Sequence, residues 1–69
     1  MATIQKRVGE RIKLLRRQQS LSQLKLAEMI NMDITSINEI ENGKRNPSLK
    51  TINKLARALK VSVKDLFEN

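Results

Sequence analysis

The 69-residue sequence contains no cysteine and no histidine, a single aromatic residue (Phe67), one proline (Pro47) and two glycines. Each absence removes a class of explanation. Without Cys or His there are no disulfide staples, none of the usual soft or imidazole ligands for zinc, iron or copper, and no Cys/His or Ser/His nucleophile pair. No glycine-rich phosphate loop and no glycine-flanked serine is present, so nucleotide-binding and serine-hydrolase designs have no foothold. We therefore expect no catalysis, no metal and no cofactor. The scarcity of Gly and Pro leaves little material for hairpins. No apolar run approaches the roughly 18 residues that cross a bilayer, and the start Met-Ala-Thr-Ile-Gln-Lys-Arg lacks the apolar stretch of a signal peptide. The expected location is cytoplasmic, with no membrane partner.

What is present is charge and aliphatic side chains. Hydrophobic residues make up 39% of the chain, enough for one small core of Leu, Ile, Val, Met and Ala, so residues 1–69 read as a single domain. Lys and Arg number 14 against 7 Asp and Glu, a formal charge of +7, which attracts polyanions. The charge is uneven. Residues 1–20 carry +5 and residues 44–60 carry +6, while residues 21–43 carry −3. Positive segments thus flank a polar middle, the arrangement wanted by a protein that clamps phosphates beside an element that reads base edges.

Leu, Ile, Lys, Arg, Glu and Gln favour helix throughout, and the expected fold is all-α. A first helix is expected from Ile4 to Gln18 or Gln19, with Val8, Ile12 and Leu15 on one face and Leu14 widening it. Ser22 is placed to cap a second helix, Gln23 to Ile30, which Asn31 ends in the left-handed region. Asp33 is the expected cap of a third helix that stops at Asn42-Gly43, and Lys44-Arg45-Asn46-Pro47 is a loop. A fourth helix, about Ser48 to Leu59, buries Leu49, Ile52, Leu55, Ala56 and Leu59. Ser62 and Asp65 then start a short fifth helix, about Val63 to Glu68.

The most specific pattern lies between residues 22 and 42. A helix-turn-helix unit of about twenty residues needs small and apolar side chains at fixed places. Counted from Gln23, those places hold Leu26, Ala27 and Ile30, then the turn-former Asn31, then Met32, Ile37 and Ile40. With this register, the run from Ser36 to Ser48 and the passage Leu59-Lys60-Val61-Ser62-Val63, the chain resembles the phage repressor and Cro family. That is the xenobiotic-response-element type of helix-turn-helix DNA-binding domain. The resemblance spans Val8 to Phe67. It implies a compact five-helix bundle of the lambda-repressor-like type, with the helix-turn-helix formed by helices 2 and 3. Ser20, Asn31 and Lys60 stand where many members have Gly, and Leu24 stands where they usually show a polar residue.

The resemblance further implies a sequence-specific regulator of transcription, a repressor, acting on double-stranded DNA as a homodimer at near-palindromic sites. On the recognition helix the implied base-readers are Ile34, Thr35, Ser36, Asn38 and Glu39. Asn38 suits adenine, Ile34 and Thr35 suit a thymine methyl, and Glu39 accepts from cytosine N4. Ser22 and Gln23 at the start of the second helix, and Asn42, Lys44, Arg45 and Asn46 beyond the third, are the implied phosphate contacts. Arg11, Arg17, Lys50 and Lys54 supply general attraction. Arg16 and Glu41 correspond to a structural ion pair. Val61, Val63, Leu66 and Phe67 are the expected dimer contact, the alternative being that Leu66 and Phe67 finish the monomer core. A second reading is an antitoxin that neutralises a partner protein and autoregulates its operon, and a protein partner, toxin or polymerase, stays open.

Overall fold

The computed structural model describes residues 3–67, and three of its four α-helices begin where a short polar side chain takes up a free backbone N–H. The Thr3 hydroxyl accepts from the Lys6 N–H at 3.1 Å and opens α1, Ile4–Gln18. Ser22 does the same for α2, Gln23–Met29, at 2.9 Å, and Ser48 for α4, Leu49–Ala58, at 3.1 Å. Asp33 precedes α3, Ile34–Glu41, but its side chain makes no capping bond. Its Oδ1 instead accepts from the Ser36 hydroxyl at 2.6 Å.

All four helices stop in the same way. Ser20, Asn31, Gly43 and Lys60 take positive φ, between 58° and 73°. The next residue's N–H then reaches back five positions: Leu21 to Arg16, Met32 to Ala27, Lys44 to Glu39 and Val61 to Ala56, at 2.9 to 3.0 Å. These are Schellman closures, normally a glycine position. Three of the four are built without it. Leu21, Met32 and Val61 follow the turn and pack on the core, an apolar anchor that holds each closure in place.

The core is aliphatic, as the composition requires. Ile12, Leu26, Ile37, Ile40, Leu55, Leu59 and Leu66 are fully enclosed. Two leucines expected in it are outside. Leu14 is 46% exposed, because the buried stripe of α1 is Val8, Gly9, Ile12, Leu15 and Arg16, and at about 100° per residue Leu14 falls on the opposite side. Leu49, at the first position of α4, projects beyond the core and is 84% exposed. The stripe bends toward Gly9 because α3 approaches there. A Cβ at Gly9 would sit 2.3 Å from the Ile40 carbonyl oxygen and 2.7 Å from that of Glu41.

Arg16 on α1 and Glu41 on α3 lock this approach. Arg16 Nε donates to Glu41 Oε2 at 2.6 Å and Nη2 to Oε1 at 3.0 Å, while Nη1 donates to the Leu21 carbonyl at 2.7 Å. Both residues are buried, at 7% and 3% exposure. Among the described residues no buried side-chain N or O lacks a partner, so the pair is enclosed with its bonds satisfied.

The expected fifth α-helix is a single 3-10 turn, Lys64–Phe67, and Glu68 lies outside the described residues. The start signal operates: Ser62 N–H donates to Asp65 Oδ2 at 3.0 Å and Asp65 N–H to the Ser62 hydroxyl at 3.3 Å. These bonds, with Arg11 and Lys64 nearby, hold the Asp65 carboxyl below its usual range. The turn is set by tertiary contact rather than by helix propagation, which is costly for so short a piece. Leu66 is fully enclosed, and Arg11 Nε donates to the Asp65 carbonyl at 2.9 Å.

Three stability measurements check this account by thermal denaturation. Glu41→Ala strands a buried guanidinium and should cost about 3 to 5 kcal/mol, far more than Glu28→Ala on the exposed face of α2. Gly9→Ala, which raises helix propensity by up to about 1 kcal/mol, should instead destabilise by about 1 to 3 kcal/mol because the methyl meets backbone that cannot yield. Lys60→Gly should stabilise by up to about 1 kcal/mol by relieving the left-handed side chain. An unchanged melting temperature for Gly9→Ala would contradict the close approach of α1 and α3.

Candidate nucleic-acid interface

The helix-turn-helix register places one face of α3 on the core and leaves the other in solvent. Ile37 and Ile40 are each 1% exposed, and Ala27 on α2 is buried close to the turn at Asn31. With these anchors inside, Ile34, Thr35 and Asn38 point outward together, one helical turn deep, and Glu39 is half-buried at their edge. Ile34 at 44% exposure is an apolar side chain offered to solvent, which suits packing against a thymine methyl.

Ser36 does not join this face. It is 5% exposed, its hydroxyl donates to Asp33 Oδ1, and it accepts from Arg45 Nη1. Its place is to tie the loop after α3 to the start of α3, where an outward base-reader was expected. The Ser36 hydroxyl chiefly, with main-chain N–H groups next and the Arg45 charge least, holds the Asp33 carboxyl below its usual range. Arg45 Nη1 also lies 3.6 Å from Glu39 Oε1. Both of these contacts join Arg45 to the recognition helix, so it braces that helix as well as carrying charge.

Asn42 is exposed, with its amide held along the end of α3. Its amide Nδ2 donates to the Asn38 carbonyl at 2.9 Å and to Asn38 Oδ1 at 3.2 Å, which engages its donors within α3. Lys44 and Asn46 are exposed in the loop beyond. At the other end, the Ser22 hydroxyl accepts from Lys25 N–H and keeps its own proton free to donate. Gln23 Nε2 donates to Glu41 Oε1 at 3.0 Å, and Gln23 Oε1 accepts from Asn38 Nδ2 at 3.5 Å.

Two lysines of α1 extend the charged border. Lys6 and Lys13 line a cleft of about 430 Å³ together with Glu10, Glu41, Asn42 and Lys44. Their spacing of seven residues sets them on one helix face, and the net charge of the first twenty residues is the signal that points to them. Of the expected dimer residues, Leu66 is core, Val61 is half-buried, and Val63 and Phe67 are 38% and 50% exposed. Phe67 lines a shallow apolar cleft of about 290 Å³ with Ile4, Pro47 and Leu49 among others. Among the described residues no helix is long and apolar enough to cross a membrane.

Comparison with known proteins agrees with this geometry. The helix-turn-helix family model HTH_3 matches residues 12–66. The control protein C.MunI of a Mycoplasma species is 39% identical over 70 residues, an alignment covering 100% of this chain and 95% of that protein. The immunity repressor of Bacillus phage phi105 is 41% identical over 56 residues, covering 81% of this chain and 39% of the repressor. Among solved structures, the restriction-modification controller protein C.AhdI from Aeromonas hydrophila superposes with a TM-score of 0.87 at 39% identity, over 90% of this chain and 94% of the controller. The buried register of α2 and α3, the outward face of α3 and these matches agree: the chain belongs to the helix-turn-helix family of repressor and Cro-like DNA-binding regulators, a family of regulators rather than enzymes.

Proposed function

We propose that the protein is a sequence-specific transcription regulator of the restriction-modification-controller kind, binding a near-palindromic operator in duplex DNA as a homodimer. The observation that carries the reading is the outward set Ile34, Thr35 and Asn38, seated on the buried Ile37 and Ile40 and bordered by Lys44, Lys6 and Lys13. A major groove admits one such helix, and side chains from its first turn and a half reach base edges. The similarity to C.MunI over the whole of this chain supports the controller role. Ser22, at the N-terminus of α2, donates to a phosphate there.

A second copy is favoured by the apolar cleft beside Phe67, Leu49 and Ile4, all at least half exposed. One such module alone buries little surface on DNA, whereas two related by a two-fold axis read half-sites about 34 Å apart. Phe67, Val63 and Leu49 then replace Leu66 as the contact.

Selection of bound duplexes from a random pool tests the reading. The expected product is a two-fold-related motif, and enrichment of none at low salt would overturn it. Thr35→Ala and Asn38→Ala should relax the preference at individual positions, each by about 1 to 3 kcal/mol. Lys44→Ala should weaken all sequences alike and reduce the slope of log K against log salt by about 1. Arg45→Ala should do both, since Arg45 also braces Ser36 and Glu39 on α3.

A further inference from the structure

An asparagine followed by glycine is prone to spontaneous loss of ammonia, because glycine has no side chain to shield its backbone nitrogen. Of the six asparagines only Asn42 precedes a glycine, Gly43. In this reaction the Gly43 nitrogen gives up its proton and attacks Asn42 Cγ. The new C–N bond closes a five-membered succinimide, the Cγ–Nδ2 bond breaks, and the amide nitrogen leaves as ammonia. Water, the one co-reactant, then opens the ring at either carbonyl, giving aspartate or an isoaspartate whose main chain runs through Cβ. The fold holds the pair away from this path. Asn42 ends α3 with ψ at 3°, so the Gly43 nitrogen eclipses the Asn42 nitrogen and stands about a third of a turn from Cβ, which it must eclipse for the ring to close. Turning ψ breaks both bonds of the Schellman closure, Gly43 N–H to the Ile40 carbonyl at 3.1 Å and Lys44 N–H to that of Glu39 at 2.9 Å. The leaving group is held as well, since Nδ2 donates to the Asn38 carbonyl and to Asn38 Oδ1. Around the pair, a Cβ at Gly43 would lie 2.8 Å from Lys6 Cα, and Glu41 is gripped by Arg16. Ring closure therefore requires the end of α3 to lift from α1.

We infer that Asn42-Gly43 is a deamidation site shielded by the fold: the amide persists while α3 is seated on α1 and is lost when the end of α3 opens, leaving a chain with a weaker hold on duplex DNA. The second half rests on the reading of α3 and its lysine border as the DNA-facing surface. Either product adds one negative charge. Asn42 shares a cleft with Lys6, Lys13 and Lys44, so the new carboxylate offsets part of the positive field that attracts phosphate. It also stands at the C-terminal end of α3, where the helix dipole disfavours an anion. Isoaspartate further inserts a main-chain atom between Glu41 and Gly43, which puts the two closure bonds out of register. Refolding does not restore the amide. The modification thereby accumulates with the time that the chain spends open.

The test has a chemical arm and a binding arm. Wild type is held at one temperature and one mildly alkaline pH, folded, across a urea series and fully denatured, while peptide mapping by mass spectrometry follows the Asn42 amide. The denatured chain should lose it at least about tenfold faster than the folded one, with the rate in urea rising with the opened population. In the denatured sample Asn42 should also react faster than Asn31, Asn38 or Asn53, whose following residues carry side chains. For the binding arm, Asn42→Asp and Asn42→Gln are titrated on duplex of random sequence, with a melting curve to show that each is folded. Asn42→Asp should weaken binding by about tenfold at low salt, more than Asn42→Gln, which changes the side chain without adding charge. Equal rates for the folded and denatured chain overturn the shielding. Binding by Asn42→Asp as tight as by Asn42→Gln overturns the consequence for DNA. A wild type that binds no duplex overturns the recognition reading and that consequence with it, while the rates by themselves judge the shielding.

Discussion

The fold turns on one enclosed ion pair between Arg16 and Glu41. A carboxylate and a guanidinium taken out of water cost several kcal/mol each, and their attraction offsets this only when every remaining lone pair and proton is satisfied. Here the guanidinium grips the carboxylate with two bonds and uses a third donor on the Leu21 carbonyl. Leu21 follows the Schellman turn that ends α1, so the same guanidinium fixes the end of α1, the entry to α2 and the end of α3. What the pair supplies above raw stability is register: an apolar pair of similar volume would tolerate sliding, and the bidentate contact does not.

That register has a consequence at the surface. The two helices come close enough that only hydrogen fits at Gly9, and α3 is pressed against α1 through main chain rather than through flexible side chains. A recognition helix must hold its side chains to within a fraction of an ångström in a groove, and backbone seated on backbone gives that stiffness. On the far side the loop after α3 is fastened by Arg45 to Ser36, so the outward face of α3 is held from both sides. Lys6, Lys13 and Lys44 line one cleft beside the end of α3, and positive charge so placed attracts a polyanion in a way that varies with salt and carries no sequence information.

Much of the candidate site was legible because its pattern is local and short. Ile37 and Ile40 inside with Ile34, Thr35 and Asn38 outside is a helical alternation visible in eight residues. The members that misled are those whose surroundings come from elsewhere in the chain. Ser36 lies among outward neighbours in sequence, yet Arg45 and Asp33 close over it. Asn42 and Gln23 also carry internal bonds that their sequence neighbours do not announce, one along α3 and one across to Glu41. Leu66 and Phe67 are adjacent and equally apolar, and one is enclosed while the other faces solvent.

The sequence by itself determined the helices, the serine start of α2, the left-handed stop at Asn31, the spacing of the helix-turn-helix unit and the sign of the surface charge. These depend on interactions within four or five residues, which a linear reading captures. Only the tertiary structure decided which way the stripe of α1 turns, that Gly9 is a contact rather than a weak point, that the final segment is a 3-10 turn and which way the Gln23 amide points. Each depends on a neighbour 15 to 54 residues away, and which groups meet at such separations is fixed only when the helices pack together.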